Sequence, residues 1–335
     1  MRHKRTVLIT GAGGAGTIEI LRTLRALERY RVIAVDASPH AAGFQFADAA
    51  YTVPMASEPQ FLETMTRLME QEQPEFVIPL VDEEILIVHD LAARYGAKVV
   101  GPTAAFCRCC LDKWEMALAL TAEGIPAAPT WLATEPAEIE YPAVIKPRKG
   151  RGSRGVAYLD NAADLQRYLS AVPRPATEYL VQRRLYGREY TISVVVALGG
   201  PVLAVVPKEV LVKRGITQVG VTRAVPAIEA LCRHIQERLH ADGPFNVQLI
   251  MDAEGIPRII EINPRYSTTV ALTIAAGIHE VDVVIRHALG EVVEPLTFQP
   301  NLLMVRSAAH CYLPEEEWLK SAVKGPTEPV LLQES

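Results

Sequence analysis

No apolar run in this 335-residue chain reaches the roughly 20 residues that a membrane-spanning helix requires. The basic start is followed by a short apolar run that meets glycine at once, which reads as a first β-strand rather than a signal peptide. Excess positive charge is missing too. The 34 Lys and Arg stand against 39 Asp and Glu, a formal net charge of −5, so no overall field recruits nucleic acid. Cysteine is scarce and odd in number: Cys107, Cys109, Cys110, Cys232 and Cys311. That argues against a disulfide framework and for reduced thiols in a cytoplasmic protein. The run Cys107-Arg108-Cys109-Cys110 has no second His or Cys group to complete a zinc site, which leaves helix packing as its reading. No Ser-His-Asp or Cys-His grouping stands out for nucleophilic catalysis, and His310 reads as a surface residue. No internal repeat or low-complexity tract is evident. What is present is 49% apolar residues, enough for the cores of two or three domains.

The chain begins as α/β. An apolar strand at 6–10 runs into Gly11-Ala12-Gly13-Gly14-Ala15-Gly16, then a helical pattern on Ile18, Ile20, Leu21, Leu24 and Leu27. A second strand at 32–35 closes on Asp36, 20 positions after Gly16. This is the dinucleotide fingerprint: a tight turn, close approach to a pyrophosphate, and an acid for the ribose. Two readings stay open, NAD or FAD binding and a Rossmann-like unit that binds no dinucleotide. Asp82-Glu83-Glu84 follow a buried strand at 76–79, where they serve either a ligand at the strand end or the next helix as caps.

After Pro102 the alternation changes. Leu111-Asp112-Lys113 leads into a helix that stops at Gly124, and Pro126 and Pro129 mark a connection. A strand at 143–146 then enters Pro147-Arg148-Lys149-Gly150-Arg151-Gly152-Ser153-Arg154-Gly155, and a strand at 156–159 follows. Glycines let backbone N–H groups approach an anion, the four cations add field, and Lys146 sits on the rigid strand below. The loop joins strand to strand and lacks a G-K-[ST] ending, so it is not a Walker A loop. A solvated basic turn is the plainer alternative. A strand ending near Val181, a polar segment from Gln182, and a strand at 191–196 make a wall whose backbone suits a flat heterocycle. Beyond a strand at 202–206 the spacing predicts a polar stretch through Gly220 and a short strand at 221–225.

Residues 245–265, FNVQLIMDAEGIPRIIEINPR, predict a hairpin with strands at 246–251 and 258–263. Alternation puts Glu261 and Asn263 on one face, with Ile260 and Ile262 buried opposite, and pairs Gln248 with Glu261. One carboxylate and two amide oxygens then converge, a set suited to hard Mg²⁺ with substrate phosphates completing its shell. Arg265 follows at once.

In this order and spacing, four motifs resemble the ATP-grasp superfamily, in particular the branch similar to the carbamoyl phosphate synthetase large subunit. They are Leu111-Asp112-Lys113, Val144-Ile145-Lys146-Pro147 with its glycine loop, Val181-Gln182 with Gly187-Arg188-Glu189-Tyr190, and Asn246-Val247-Gln248 with Glu261-Ile262-Asn263-Pro264-Arg265. The resemblance covers nearly the whole chain. It implies an α/β fold turning α+β in the C-terminal part: a Rossmann-like pre-ATP-grasp domain at 1–105, a lid or small lobe with linker helix at 106–185, and a large lobe with the metal hairpin and tail at 186–335. It also implies that the glycine-rich N-terminal turn need not bind a dinucleotide.

By position, the resemblance assigns nucleotide phosphates to Lys113, Lys146 and the lid residues Arg148, Gly152 and Ser153. Adenine falls to the hinge at Gln182, Arg183 and Leu185, ribose to Glu189, and Lys208 joins the nucleotide set. Gln248, Glu261 and Asn263 hold Mg²⁺ or Mn²⁺, while Lys146 and Arg265 are the catalytic cations. The sequence departs from the pattern at Arg183 and Arg184, where an acid and an aromatic are usual, and at Tyr266-Ser267-Thr268-Thr269 in place of a Ser-Gly-Gly-like turn. The implied activity is an ATP-dependent, ADP-forming ligase that joins a small carboxylate to an amine or amino acid, with a homodimer as the expected assembly. The alternatives are an NAD-binding oxidoreductase or sensor and a nucleotide-binding subunit without turnover.

Overall fold

The computed structural model describes residues 4–308 together with 310, 312, 314 and 315; Cys311 lies outside the described residues. The chain divides into two compact units. One holds the described residues up to Gly101 and His279–Val292, the other Pro102–Ile278 and Val293–Arg306. Among the described residues no helix is long and apolar enough to cross a membrane.

In the first unit, strands β1 (Arg5–Thr10), β2 (Tyr30–Asp36), β3 (Ala49–Thr52), β4 (Phe76–Ile78) and β5 (Lys98–Val99) form a parallel sheet ordered β3-β2-β1-β4-β5. Parallel pairing requires crossovers, supplied by helices such as Thr17–Ala26, Gln60–Glu72 and Ile85–Tyr95. Helices on both faces bury both sets of side chains, so β1 reads as an unbroken apolar run in which Val7, Leu8 and Ile9 are fully buried. Helix Glu280–Ala288 also belongs here, although by sequence it lies between the last two strands of the C-terminal sheet. The Tyr30 hydroxyl donates to Asp282 at 2.7 Å, and the Lys98 amine donates to the Ala288 carbonyl at 3.0 Å. Burial and this bond to Asp282 push the Tyr30 phenol well above its ordinary range.

The second unit contains two antiparallel sheets. The smaller is ordered β6-β9-β7-β8, from β6 (Thr130–Leu132), β7 (Ala143–Pro147), β8 (Ala157–Leu159) and β9 (Tyr179–Arg183). Its core joins Ile145, Leu159 and Val181 to Leu165 of helix Ala162–Ala171. The larger is ordered β14-β13-β10-β11-β12-β15, from β10 (Arg188–Val196), β11 (Val202–Arg214), β12 (Ile216–Thr222), β13 (Phe245–Met251), β14 (Pro257–Asn263) and β15 (Leu303–Val305). One face packs Ile192, Val194, Val247 and Leu249 against helices Lys113–Ala122 and Pro226–Leu239. Alternation turns Glu189, Thr191 and Ser193 of β10 to the other face. Register places Gln248 and Asn246 beside Thr191 and Ser193, and Glu261 and Asn263 beside Gln248 and Asn246.

Three local expectations are corrected. Residues 207–220 are not a polar connection; they form the greater part of a long hairpin, β11 and β12, turning at Gly215. Backbone pairing does not require apolar side chains, so Lys213 and Arg214 extend β11 into solvent. The hairpin of β13 and β14 pairs Gln248 with Glu261 as expected, but Leu249 pairs with Ile259, which leaves Ile260 as the extra residue of a bulge. Ile262 is buried; Ile260 is only half-buried. Finally, β10 starts at Arg188, immediately after Gly187, rather than at residue 191. Gly187 has φ +146°, and a Cβ there would lie 2.0 Å from the Met251 carbonyl oxygen. Gly187→Ala is therefore expected to destabilise the protein by about 3 kcal/mol. A urea midpoint unchanged from the wild type would show that this crossing relaxes freely.

Candidate functional site

Lys146 is the only charged side chain on β7, and the strand buries it. Its amine donates to the Gln182 side-chain oxygen at 3.0 Å and to the Ile260 carbonyl at 3.0 Å, so it ties the small sheet to the bulge of the large one. The bulge frees that carbonyl from the ladder. Gln182 in turn donates to the Thr130 hydroxyl at 3.1 Å. Burial pushes the Lys146 amine down to about 8, against the pull of the Glu261 carboxylate, while Lys113 and Lys213 push the same way as burial.

Lys113 opens helix Lys113–Ala122, whose N-cap is Asp112. Asp112 accepts from the Trp114 N–H at 3.0 Å and takes the Arg148 guanidinium through both oxygens, at 3.2 and 2.9 Å. Burial works to raise the Asp112 carboxyl; Arg148 and the Trp114 N–H outweigh it and hold it below the usual range. The Lys113 amine donates to the Gly150 carbonyl at 2.6 Å and lies 3.7 Å from the Glu261 carboxylate. The Lys113 N–H donates to the Arg148 carbonyl at 2.9 Å. Asp112 and Lys113 thus grip the glycine loop at its root. Within the loop, Gly150, Gly152, Ser153 and Gly155 all have positive φ. A Cβ on Gly150 or Gly152 would meet nothing within 4 Å, so these glycines serve backbone conformation rather than packing.

At the hinge, the Arg183 N–H donates to the Pro129 carbonyl at 2.9 Å and the Arg184 N–H to the Pro142 carbonyl at 3.0 Å. Their side chains point elsewhere: Arg183 pairs with Glu140 at 2.9 Å, and Arg184 stacks over Tyr158 and Tyr186. Leu185 follows, half-buried. Glu189 accepts from Lys213 at 2.5 Å. Nothing in the sequence marks Lys213, because the strand that delivers it reads as loop. Lys208 lies fully buried, its amine donating to Ser193 at 2.7 Å and Thr273 at 2.8 Å.

Glu261 is half-buried beside Gln248, and Asn263 accepts from Arg265 at 3.4 Å. The three residues offer oxygen alone, one carboxylate and two amides, a donor set that fits a hard divalent cation. Among the described residues no group of three His, Cys, Asp or Glu could hold a metal, so a cation here draws on the amides and on ligand oxygens. Lys113, Lys146, Gln182 and Glu261 act on one another directly, and the Asn263–Arg265 pair follows on the same strand, β14. Arg148, Arg183 and Lys208 each make protein partners beside it.

The N-terminal turn is different. The Gly13 N–H donates to one Asp36 oxygen at 2.7 Å and the Ser38 N–H to the other at 2.8 Å. The 3₁₀ turn Ala42–Phe46 sits so close that a Cβ on Gly43 would lie 2.2 Å from the Ala12 carbonyl oxygen. The acid needed for a ribose and an amide needed for a pyrophosphate are spent on each other. That disfavours the dinucleotide reading.

Residues 7–100 match the family described as PylC-like, N-terminal domain, and residues 176–309 match that described as ATP-grasp in the biosynthetic pathway with Ter operon. Solved structures share the fold over most of the chain. An L-amino acid ligase from Bacillus licheniformis is 17% identical with a TM-score of 0.70, covering 87% of this chain and 76% of that one. A carboxyaminoimidazole ribonucleotide synthase from Aspergillus clavatus, complexed with ATP, is 17% identical with a TM-score of 0.73, covering 90% and 80%. The biotin carboxylase domain dimer of Hydrogenobacter thermophilus 2-oxoglutarate carboxylase, with MgADP, ADP and bicarbonate, is 19% identical with a TM-score of 0.69, covering 87% and 71%. At such identities the likeness carries the fold and not the substrate. Residues 7–100 thus carry a PylC-like N-terminal domain and residues 176–309 an ATP-grasp domain, and the chain as a whole shares its fold with these solved structures.

Proposed function

We infer that the protein is an ATP-dependent, ADP-forming ligase that joins a small carboxylate to an amine or amino acid. The observation that carries this reading is the joining of Lys113, Lys146, Glu261, Asn263 and Arg265 around one bulged hairpin. The substrate carboxylate attacks the γ-phosphorus of ATP, ADP leaves, and the amine then displaces phosphate from the acyl phosphate to form the amide. Bringing one anion onto another makes charge neutralisation and alignment the main tasks. Lys146, rigid on its strand, supplies one cation, Arg265 another, and Lys113 a third at the root of the glycine loop. Glu189 takes the ribose, and the hinge at 182–185 lies beside adenine. Gln248, Glu261 and Asn263 would hold Mg²⁺, which when bound neutralises phosphate charge. The glycine loop covers the phosphates and keeps water from the acyl phosphate.

ADP release across a panel of carboxylates and amines, with and without Mg²⁺, tests the reading. Release that requires both substrates and the metal supports it; no release with any pair, together with tight NAD binding, overturns it. The reading extends to a cytoplasmic homodimer, which light scattering on the purified chain checks.

The amine of Lys146 makes binding pH-dependent. Near pH 8 it is half protonated, and a bound triphosphate favours the ammonium form, so nucleotide binding takes up protons at that pH. Affinity is expected to fall as pH rises through about 8. Folding stability moves oppositely: between about 8 and 10.5 the unfolded chain holds the extra proton, so stability gains as pH climbs through that window. Calorimetry at pH 8 in buffers of different ionisation enthalpy measures the uptake. A binding enthalpy independent of buffer would contradict it.

A further inference from the structure

Behind β10, on the face away from Glu189, lies a cavity of about 410 Å³. Arg188 and Tyr190 face it because side chains alternate along the strand. Its polar side chains are two guanidinium groups and a phenol, Arg188, Arg223 and Tyr190, with no carboxylate among them. Tyr190 is only 2% exposed, yet its hydroxyl makes no hydrogen bond among the described residues. Burial raises the phenol, Glu209 adds to this, and the two arginines oppose both, so it stays a neutral donor at physiological pH. Arg188 has no hydrogen-bond or ion-pair partner among the described residues. Arg223 is fixed in place, donating to Glu209 at 2.8 Å and Asn301 at 2.8 Å. The first turn of the 14-residue helix Pro226–Leu239 also opens here, and its N-cap Val225 offers no side-chain oxygen. Pro226 has no N–H and the Ile228 N–H donates to the Val225 carbonyl at 3.0 Å, so the Ala227 N–H and the positive end of the helix are what favour a negative charge. Met251 and Pro226 supply an apolar wall.

We propose that this cavity binds a small organic carboxylate. The Arg188 guanidinium pairs with the carboxylate, the Tyr190 hydroxyl donates a second bond to it, and the apolar body lies on Met251 and Pro226. With no carboxylate in the lining, the Arg188 guanidinium repels an ammonium group, and inorganic phosphate leaves the apolar wall unused. Arg188 and Tyr190 flank Glu189 on β10, so occupancy restrains the strand whose opposite face enters the candidate site. The site stands apart from the ligase reading and does not rest on it.

Benzoate and inorganic phosphate, titrated calorimetrically into the full chain, are the probes. Tyr190→Phe keeps the ring volume and Arg188 is exposed, so both Tyr190→Phe and Arg188→Gln are expected to fold, as their thermal midpoints report. Lys146→Met controls for anions captured at the candidate nucleotide site. Benzoate is expected to bind wild type and Lys146→Met alike, and at least about tenfold more weakly to Tyr190→Phe and Arg188→Gln. Equal affinity in these last two variants, loss in Lys146→Met alone, or no benzoate binding to the wild type would each overturn the assignment. Phosphate binding as tightly as benzoate would overturn the choice of an organic carboxylate.

Discussion

Replacing Glu261 with glutamine is expected to lower the rate of ADP release by roughly a thousandfold or more, while nucleotide still binds. The substitution preserves shape and removes the one carboxylate among the three oxygen donors on β13 and β14. A divalent cation would then rest on amide oxygens, which carry no net charge to hold it. On the proposed reading, several kcal/mol of charge stabilisation in the transition state would depend on that metal. The same carboxylate lies 3.7 Å from Lys113, so its loss leaves two cations, Lys113 and Lys146, facing each other with less to separate them. Turnover within tenfold of wild type would mean that the hairpin is not the metal site. Glu261→Asp, which keeps the charge but shortens the reach, should fall between the two.

Lys146→Met is the second large effect, and its signature is a split between activity and stability. On the proposed reading Lys146 meets developing phosphate charge, so its removal is expected to lower kcat/KM by roughly a thousandfold. The folded state, in contrast, should not suffer. Burial has moved this amine from 10.5 to about 8, which says that the fold carries the ammonium at a penalty of order 3 kcal/mol. Methionine fills the same space without a charge. It gives up the two bonds to Gln182 and Ile260, and these losses offset part of the gain. A thermal midpoint equal to or above that of the wild type, beside the lost activity, marks a residue kept for function. A lowered midpoint with activity lost in proportion would make Lys146 a structural tie between sheets.

Much of this could be read from the chain because the informative residues are local. The β13–β14 hairpin was legible from Asp252-Ala253-Glu254-Gly255 between two apolar runs, and the pairing of Gln248 with Glu261 followed from counting back from that turn. The bulge at Ile260 was not, since Arg258-Ile259-Ile260-Glu261 carries no glycine to announce it. It arises where the carbonyl of Ile260 turns to Lys146, a partner 114 positions away. The long β11–β12 hairpin escaped for a different reason. Its outer half mixes Val210, Leu211 and Val212 with Lys213 and Arg214 and leaves both Leu211 and Val212 exposed, so no alternation marks a dry side there. Lys213 was lost with it. The dinucleotide fingerprint of Gly11–Gly16 and Asp36 matched in spacing, yet spacing cannot show that Asp36 is consumed by Gly13 and Ser38.

The return of helix Glu280–Ala288 to the first unit has a consequence for synthesis on the ribosome. Strand β2 emerges early, but Asp282, the acceptor for the buried Tyr30 hydroxyl, is made 252 residues later. The N-terminal sheet can pair as it appears, yet its last layer arrives only after every strand of the second unit except β15 has been made. The sheet that carries Tyr30 is thus finished well after its own strands are made. A nascent chain waits with a tyrosine uncovered while strands β3 to β14 are made.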